Sequence, residues 1–213
     1  MADKIRDHSL QAGYCVEWSV AERTLPGEGL SGDCHLLIPR RDGMLAAVVD
    51  GLGHGSEAAA AAQAAMAVLK EHPEDPVISL VEHCHRALHP TRGAVMTVVV
   101  FNMNENTLTA LGIGNVETVL LRADPVMHPP RESVLLRGGL VGYQLPPLHP
   151  NVFPVQVGDL VIFATDGIQA NFSEQLNPAD PVKQMAERIL AQKFRGTDDG
   201  LVLAIRYLGK PYG

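Results

Sequence analysis

The chain has 213 residues, is 46% apolar and carries a formal net charge of −7. That suits one globular domain over 1–213 with a sizeable core, and the scattered Lys and Arg argue against nucleic acid as a partner. Residues 1–11 are polar without a secretory signal, and the Ala-rich 58–69 is too short and too weakly apolar to span a bilayer. The three cysteines, Cys15, Cys34 and Cys84, form no close pairs, which points to reduced thiols in a cytoplasm.

Residues 13–21 place Tyr14, Val16, Trp18 and Val20 on one side, the pattern of a strand with one buried face. Residues 23–31 hold Pro26, Gly27 and Gly29 and read as a loop. Asp33 opens a strand over 34–38, and 40–43 is a tight connection to the apolar run 45–49, which ends on Asp50. A hairpin there sets Asp33 and Asp50 on neighbouring strands. Gly51, Gly53 and Gly55 follow, with His54 among them, and an Ala-rich helix is predicted over 56–71. Its small side chains allow close approach to a sheet or a partner. After a break at His72-Pro73, residues 76–88 form a second helix with Val77, Leu80, Val81, Cys84 and Leu88 on one face.

From Ala94 the pattern turns to strands, over 94–102, 107–112 and 117–122, with Asn104, Glu105 and Asn106 at a hairpin tip. A proline-rich loop covers 124–130 and a short strand 134–137. Residues 152–157 and 160–165 form a hairpin around Gly158-Asp159. A polar insertion at 171–180, a helix over 181–194 and a strand over 201–207 complete the chain. This order predicts an α+β architecture dominated by antiparallel sheet rather than alternating βαβ units.

One Asp-Gly pair is an ordinary turn. Here the pattern recurs: buried-strand runs end at Asp50-Gly51 and Asp166-Gly167, and Asp198-Asp199 precedes the last strand. With Asp33, these acids sit at strand ends. Converging like charges cost several kcal/mol each, on the order of 4 at contact in a moderate dielectric. Hard divalent ions offset that cost. Mg²⁺ and Mn²⁺ prefer carboxylate, carbonyl and water oxygens, and two such ions roughly 4 Å apart orient a water for attack on phosphorus. His83, Cys84, His85 and His89 do not make a comparable zinc set. Cys84 falls on the apolar face, His85 and His89 are i, i+4 neighbours, and the group reads as a solvated helix face.

Ser31-Gly32-Asp33, Asp50-Gly51-Leu52-Gly53-His54-Gly55, Thr165-Asp166-Gly167 and Asp198-Asp199, in this order, resemble the metal-dependent protein phosphatases (PPM, or type 2C). Gly112 to Asn115 and Gly138 to Pro146 resemble the SpoIIE-like bacterial branch of sporulation and stress-response phosphatases. The resemblance implies an antiparallel β-sandwich of two sheets flanked by helices. It implies two Mn²⁺ or Mg²⁺ ions, Asp50 bridging them, the Gly51 carbonyl on the first, and Asp166 and Asp198 on the second. Asp198 is preferred to Asp199 as the first residue of its pair. Asp33 is expected to hold a metal-bound water. The implied reaction is hydrolysis of phosphoserine or phosphothreonine by a metal-activated water, without a phosphoenzyme, on a phosphorylated stressosome-type signalling protein. A catalytically weak pseudophosphatase that only binds phosphoproteins is the alternative. A small-molecule phosphoesterase is disfavoured by the lack of a nucleotide-type Gly-rich motif or basic groove.

Three features depart from the family pattern, one of them Gly200-Leu201 in place of the more usual polar residue after the Asp pair. Eukaryotic members place an Arg shortly before the first Asp to hold phosphate; here that stretch offers Glu28 and Gly29, with Arg23 further away. Phosphate capture then falls to the metals, Arg23 or another residue. Their His lies two residues after the bridging Asp, whereas His54 lies four after Asp50.

Overall fold

The structure, a computed structural model, describes residues 4–8, 15–124, 126–174 and 176–210, with the backbone alone for 4–8. One sheet runs, in spatial order, β1 (Lys4–His8), β2 (Val16–Arg23), β12 (Gly200–Tyr207), β11 (Leu160–Ala164), β7 (Glu117–Leu121) and β8 (Arg131–Ser133). The other runs β10 (Asn151–Pro154), β6 (Thr107–Ile113), β5 (Ala94–Asn102), β4 (Gly43–Gly51) and β3 (Asp33–Arg40). The two-residue β9 (Leu136–Arg137) joins β6 in parallel, while the other strand pairs are antiparallel. Helices α1 (Gly55–Glu71) and α2 (Val77–Leu88) cover the second sheet, and α3 (Val182–Lys193) covers the first. The expected α+β sandwich of two sheets flanked by helices is the observed architecture. Among the described residues, no helix is long and apolar enough to cross a membrane.

Strand alternation explains the layers. On β4, Met44, Ala46 and Val48 face the other sheet, while Leu45, Ala47 and Val49 meet the helices. On β12, Leu201, Leu203, Ile205 and Tyr207 point inward, and Val202 and Ala204 lie under α3. Both faces of these strands are covered, so they read as unbroken apolar runs. Ala58, Ala61, Ala62 and Ala65 of α1 are buried, so this is a close-packed helix rather than an open partner surface. It ends at His72, whose N–H still reaches the Val68 carbonyl, because Pro73 cannot continue it.

Three expectations are corrected. The predicted hairpin over 152–165 does not exist: β10 pairs with β6 in one sheet, whereas β11 pairs with β7 and β12 in the other. The Gly158 turn crosses between layers, and a turn signal does not say which sheet the next strand joins. The predicted strand 134–137 shortens to its last two residues, at another crossing between layers. Arg131–Ser133 pairs with β7, and Leu136–Arg137 pairs with β6 across the sandwich. Strand β1, paired with β2, lies in the segment read only as polar. Gly13 and Tyr14, at the start of the predicted first strand, lie outside the described residues.

The layer-crossing turn is anchored by a buried ion pair. The Asp159 carboxylate accepts hydrogen bonds from the Ala123 and Gln156 N–H groups, at 2.8 and 3.1 Å. Arg122, 5% exposed, donates to Asp159 at 3.0 Å and to the Pro154 carbonyl at 2.6 Å, and also pairs with Glu132. Removing one partner strands a buried charge. Arg122→Met is therefore expected to lower unfolding stability by about 3–5 kcal/mol in a urea titration, with much of it recovered in Arg122→Met/Asp159→Leu. A loss under ~1 kcal/mol for the single variant contradicts the anchoring role.

Candidate metal centre

Strand register brings the acids to one edge of the sandwich. Asp33, first in β3, lies directly opposite Asp50 near the end of β4. On β4 the inward positions 44, 46 and 48 are followed in phase by 50, and on β11 the inward Val161 and Phe163 are followed by Thr165. Asp166 comes next, and Asp198 and Asp199 stand just before β12, which pairs with β11. The charges register on one another. Burial, with the Asp166, Asp198 and Asp199 charges, pushes Asp50 up to about 8. Burial, then the Asp50 charge, holds Asp33 well above the usual carboxylate range, while the Thr165 hydrogen bond pulls the other way. Burial and the Asp198 charge raise Asp166, against the pull of Arg195 and Asn115.

Neighbouring polar groups fix the acids. The Thr165 hydroxyl accepts from the Leu201 N–H at 2.9 Å and donates to Asp33 Oδ2 at 2.7 Å, so its proton has one direction. Asn115 Nδ2 donates to Asp166 Oδ2 at 2.9 Å. Asp199 is committed elsewhere: its two oxygens accept the Leu25 and Gly32 N–H groups, both at 2.7 Å, and tie the loop before Asp33 to the start of β12. Asp198, more exposed, accepts only the Asp199 N–H at 2.8 Å among the hydrogen bonds described. The residues themselves thus distinguish the two acids that sequence reading of the strand ends left open.

The Asp-Gly pairs have a steric cause. A Cβ on Gly51 would collide with the Ala58 carbonyl in the first turns of α1. One on Gly167 would collide with the Asp199 carbonyl. Each glycine lets a second acid-bearing or acid-supporting segment close against the strand end.

Other candidates fall outside the cluster. His54 heads α1 without a capping bond, and its Nδ1 lies 2.7 Å from Glu28 Oε1. Glu28, standing in the stretch where the eukaryotic pattern has an Arg, thus engages His54. Arg23 stacks over the Phe194 ring at 5.0 Å. Sequence reading missed Arg195, whose guanidinium donates to the Asp166 carbonyl at 3.2 Å. It also assigned no role to Asn115, although Gly112 to Asn115 stood out as a motif. The donor set of Asp33, Asp50, Asp166 and Asp198 is all oxygen and strongly anionic, with Arg195 as the cation that pulls on it. It fits hard divalent Mg²⁺ or Mn²⁺.

Residues 40–208 match the family described as Stage II sporulation protein E (SpoIIE). That range holds Asp50, Asp166 and Asp198 and begins after Asp33. The phosphoserine phosphatase RsbX of Bacillus subtilis (strain 168) is 29% identical over 105 residues, which are 49% of this chain and 53% of that protein. The chain thus spans about half the length of this curated relative. A solved structure described as "The bacterial stressosome: a modular system that has been adapted to control secondary messenger signaling" is 28% identical, over 90% of this chain and 99% of that one, with a TM-score of 0.80. A crystal structure of RsbX in complex with magnesium superposes with a TM-score of 0.84 over 96% of this chain and 100% of that one, at 20% identity. From the matched residues and the shared two-sheet sandwich, the chain belongs to the SpoIIE family and has the fold of the type 2C protein phosphatases.

Proposed function

We propose that residues 1–213 form a single catalytic domain, a cytoplasmic serine/threonine protein phosphatase that hydrolyses phosphoserine or phosphothreonine on a stressosome-type signalling partner. One observation carries the reading: acids from four separate segments of the chain converge at one sandwich edge, in a fold shared with a magnesium-bound phosphatase. A domain that only bound phosphoproteins would not need that concentration of negative charge. The similarity to RsbX and to a stressosome structure supports the choice of partner.

Asp50 and the Gly51 carbonyl would hold one Mg²⁺ or Mn²⁺, and Asp50, Asp166 and Asp198 a second. When bound, the ions supply Lewis acidity, neutralising phosphate charge and readying a water for in-line attack. Asn115 keeps the Asp166 carboxylate in one orientation. Thr165 occupies one oxygen of Asp33 and leaves the other to accept a hydrogen bond from water. Asp199 holds the 25–32 loop and thereby the start of β3. To Arg195, exposed beside Asp166, we assign the capture of a phosphate oxygen.

Hydrolysis of p-nitrophenyl phosphate and of a phosphothreonine peptide tests the reading. Turnover should require Mg²⁺ or Mn²⁺ and fall at least about a hundredfold in Asp50→Asn and Asp166→Asn with the fold intact. No turnover with any metal in folded protein points instead to the phosphoprotein-binding alternative. Arg195→Ala should raise KM for the phosphopeptide roughly tenfold, the worth of one charge-assisted hydrogen bond, without weakening metal affinity. An unchanged KM removes Arg195 from phosphate capture.

Stability without metal should also depend on pH. Asp50 titrates near 4 when unfolded and at about 8 in the native protein, so between those values the native state binds more protons. The contribution is fully present below about pH 4 and is lost as pH rises through about 8. Thermal melts in chelator should therefore show Tm falling over that window, and added Mn²⁺ should raise Tm most at its upper end. A metal-free Tm that climbs across the window contradicts the convergent-acid geometry.

A further inference from the structure

The histidines after α1 are arranged differently from the reading of 83–89 as one solvated face. His85 Nδ1 accepts the Gly142 N–H at 2.9 Å, and the rings of His85 and His89 meet at 4.7 Å. His83 turns the other way, toward His72 at the end of α1. Their rings meet edge-on at 4.5 Å, with Asp75 of the connecting turn beside both.

We propose that His72, Asp75 and His83 form a second metal site, for a borderline divalent transition metal such as Zn²⁺, clamping the end of α1 to α2. One ligand atom from each residue lies within 4.8 Å of the others. Asp75 Oδ2 is 3.8 Å from His72 Nδ1 and 3.5 Å from His83 Nδ1. In tetrahedral zinc sites, bonds of about 2.0–2.1 Å put ligand atoms roughly 3.3 Å apart, so the triangle already has nearly the needed size. The second observation is His83 Nδ1 itself. It is shielded from solvent and makes no hydrogen bond, although buried ring nitrogens ordinarily have a partner. A cation among the three groups satisfies it.

The backbone that presents these groups is held by residues that are not ligands. The Asp75 N–H reaches the His72 carbonyl at 3.1 Å. The Arg40 guanidinium, from the end of β3, donates to the carbonyls of Pro73, Glu74 and Asp75, the last two at 3.1 and 3.0 Å. Glu74 accepts the Arg41 N–H at 3.2 Å. The turn is thus fixed without metal, and binding need not order it. Two imidazoles and one carboxylate select Zn²⁺ or Co²⁺ over Mg²⁺, and partial exposure of all three residues leaves a position for water. The site is separate from the acidic centre: α1 has 17 residues, about 25 Å, and the two lie at its opposite ends.

The test uses the full chain without an affinity tag, saturated with Mg²⁺ and titrated with Co²⁺ by visible absorption and with Zn²⁺ by calorimetry. One equivalent of each should bind, with the intense d–d absorption of four-coordinate Co²⁺. Affinity should fall at least about tenfold in His72→Ala and in His83→Gln, and stay unchanged in His89→Ala and Asp166→Asn. Zn²⁺ should raise Tm of the unaltered protein but not of His72→Ala, a half-exposed position whose change leaves the core untouched. The assignment is overturned if the unaltered protein binds no Co²⁺ beyond the Mg²⁺-saturated centre. It is also overturned if His72→Ala binds as tightly as the parent, or if His89→Ala or Asp166→Asn abolishes binding.

Discussion

Asp33 faces Asp50 across the β3–β4 ladder, one carboxylate opposite another where a single buried charge is already unfavourable. Nearly everything distinctive about this end of the sandwich answers that repulsion. Thr165 donates to one acid, Asn115 to another, and Asp199 accepts two backbone N–H groups. Among the described residues, Asp50 and Asp198 have no side-chain donor, and Asp166 has Asn115 alone. The hydrophobic layers supply the rigidity that keeps those three from relaxing apart, since both faces of β4, β11 and β12 are packed.

The backbone had to be thinned for the acids to meet. Gly51 gives α1 room to start directly beside the end of β4, and Gly167 gives the Asp198-Asp199 segment room beside the end of β11. Any side chain at either place would push a supporting element outward. A constraint of this kind is a matter of volume rather than backbone freedom, and it explains why Asp50 and Asp166 are each followed at once by the smallest residue.

Much of this was legible in the sequence. The strands 94–102 and 107–112, the helices after 55, 76 and 181, and the pairing of Asp33 with Asp50 follow from apolar period, prolines and a short connection. What was not legible is which sheet a strand joins. The segments around Gly158 and Val134 carry ordinary turn and strand signals, yet both cross from layer to layer, and local pattern encodes pairing only between neighbours. At the site, the acids stood out because buried-strand runs twice end in Asp-Gly, with further acids at Asp33 and Asp198-Asp199 beside other strands. Their supporting contacts were hidden because they join residues far apart. Nothing near Asp199 announces bonds to Leu25 and Gly32, and nothing near His83 announces His72.

Those Asp199 bonds span 174 and 167 residues. The loop before Asp33 is synthesised long before its anchor. Local contacts form early and such distant ones late. A growing chain can therefore assemble β3, β4, α1 and α2 into a covered half-sandwich well before Asp166, Asp198 and Asp199 exist. The acidic cluster is completed only when β12 pairs beside β11 and β2. A chain cut before Asp166 thus keeps half of the core but cannot gather the charges, so this edge is assembled only when both halves of the domain are present.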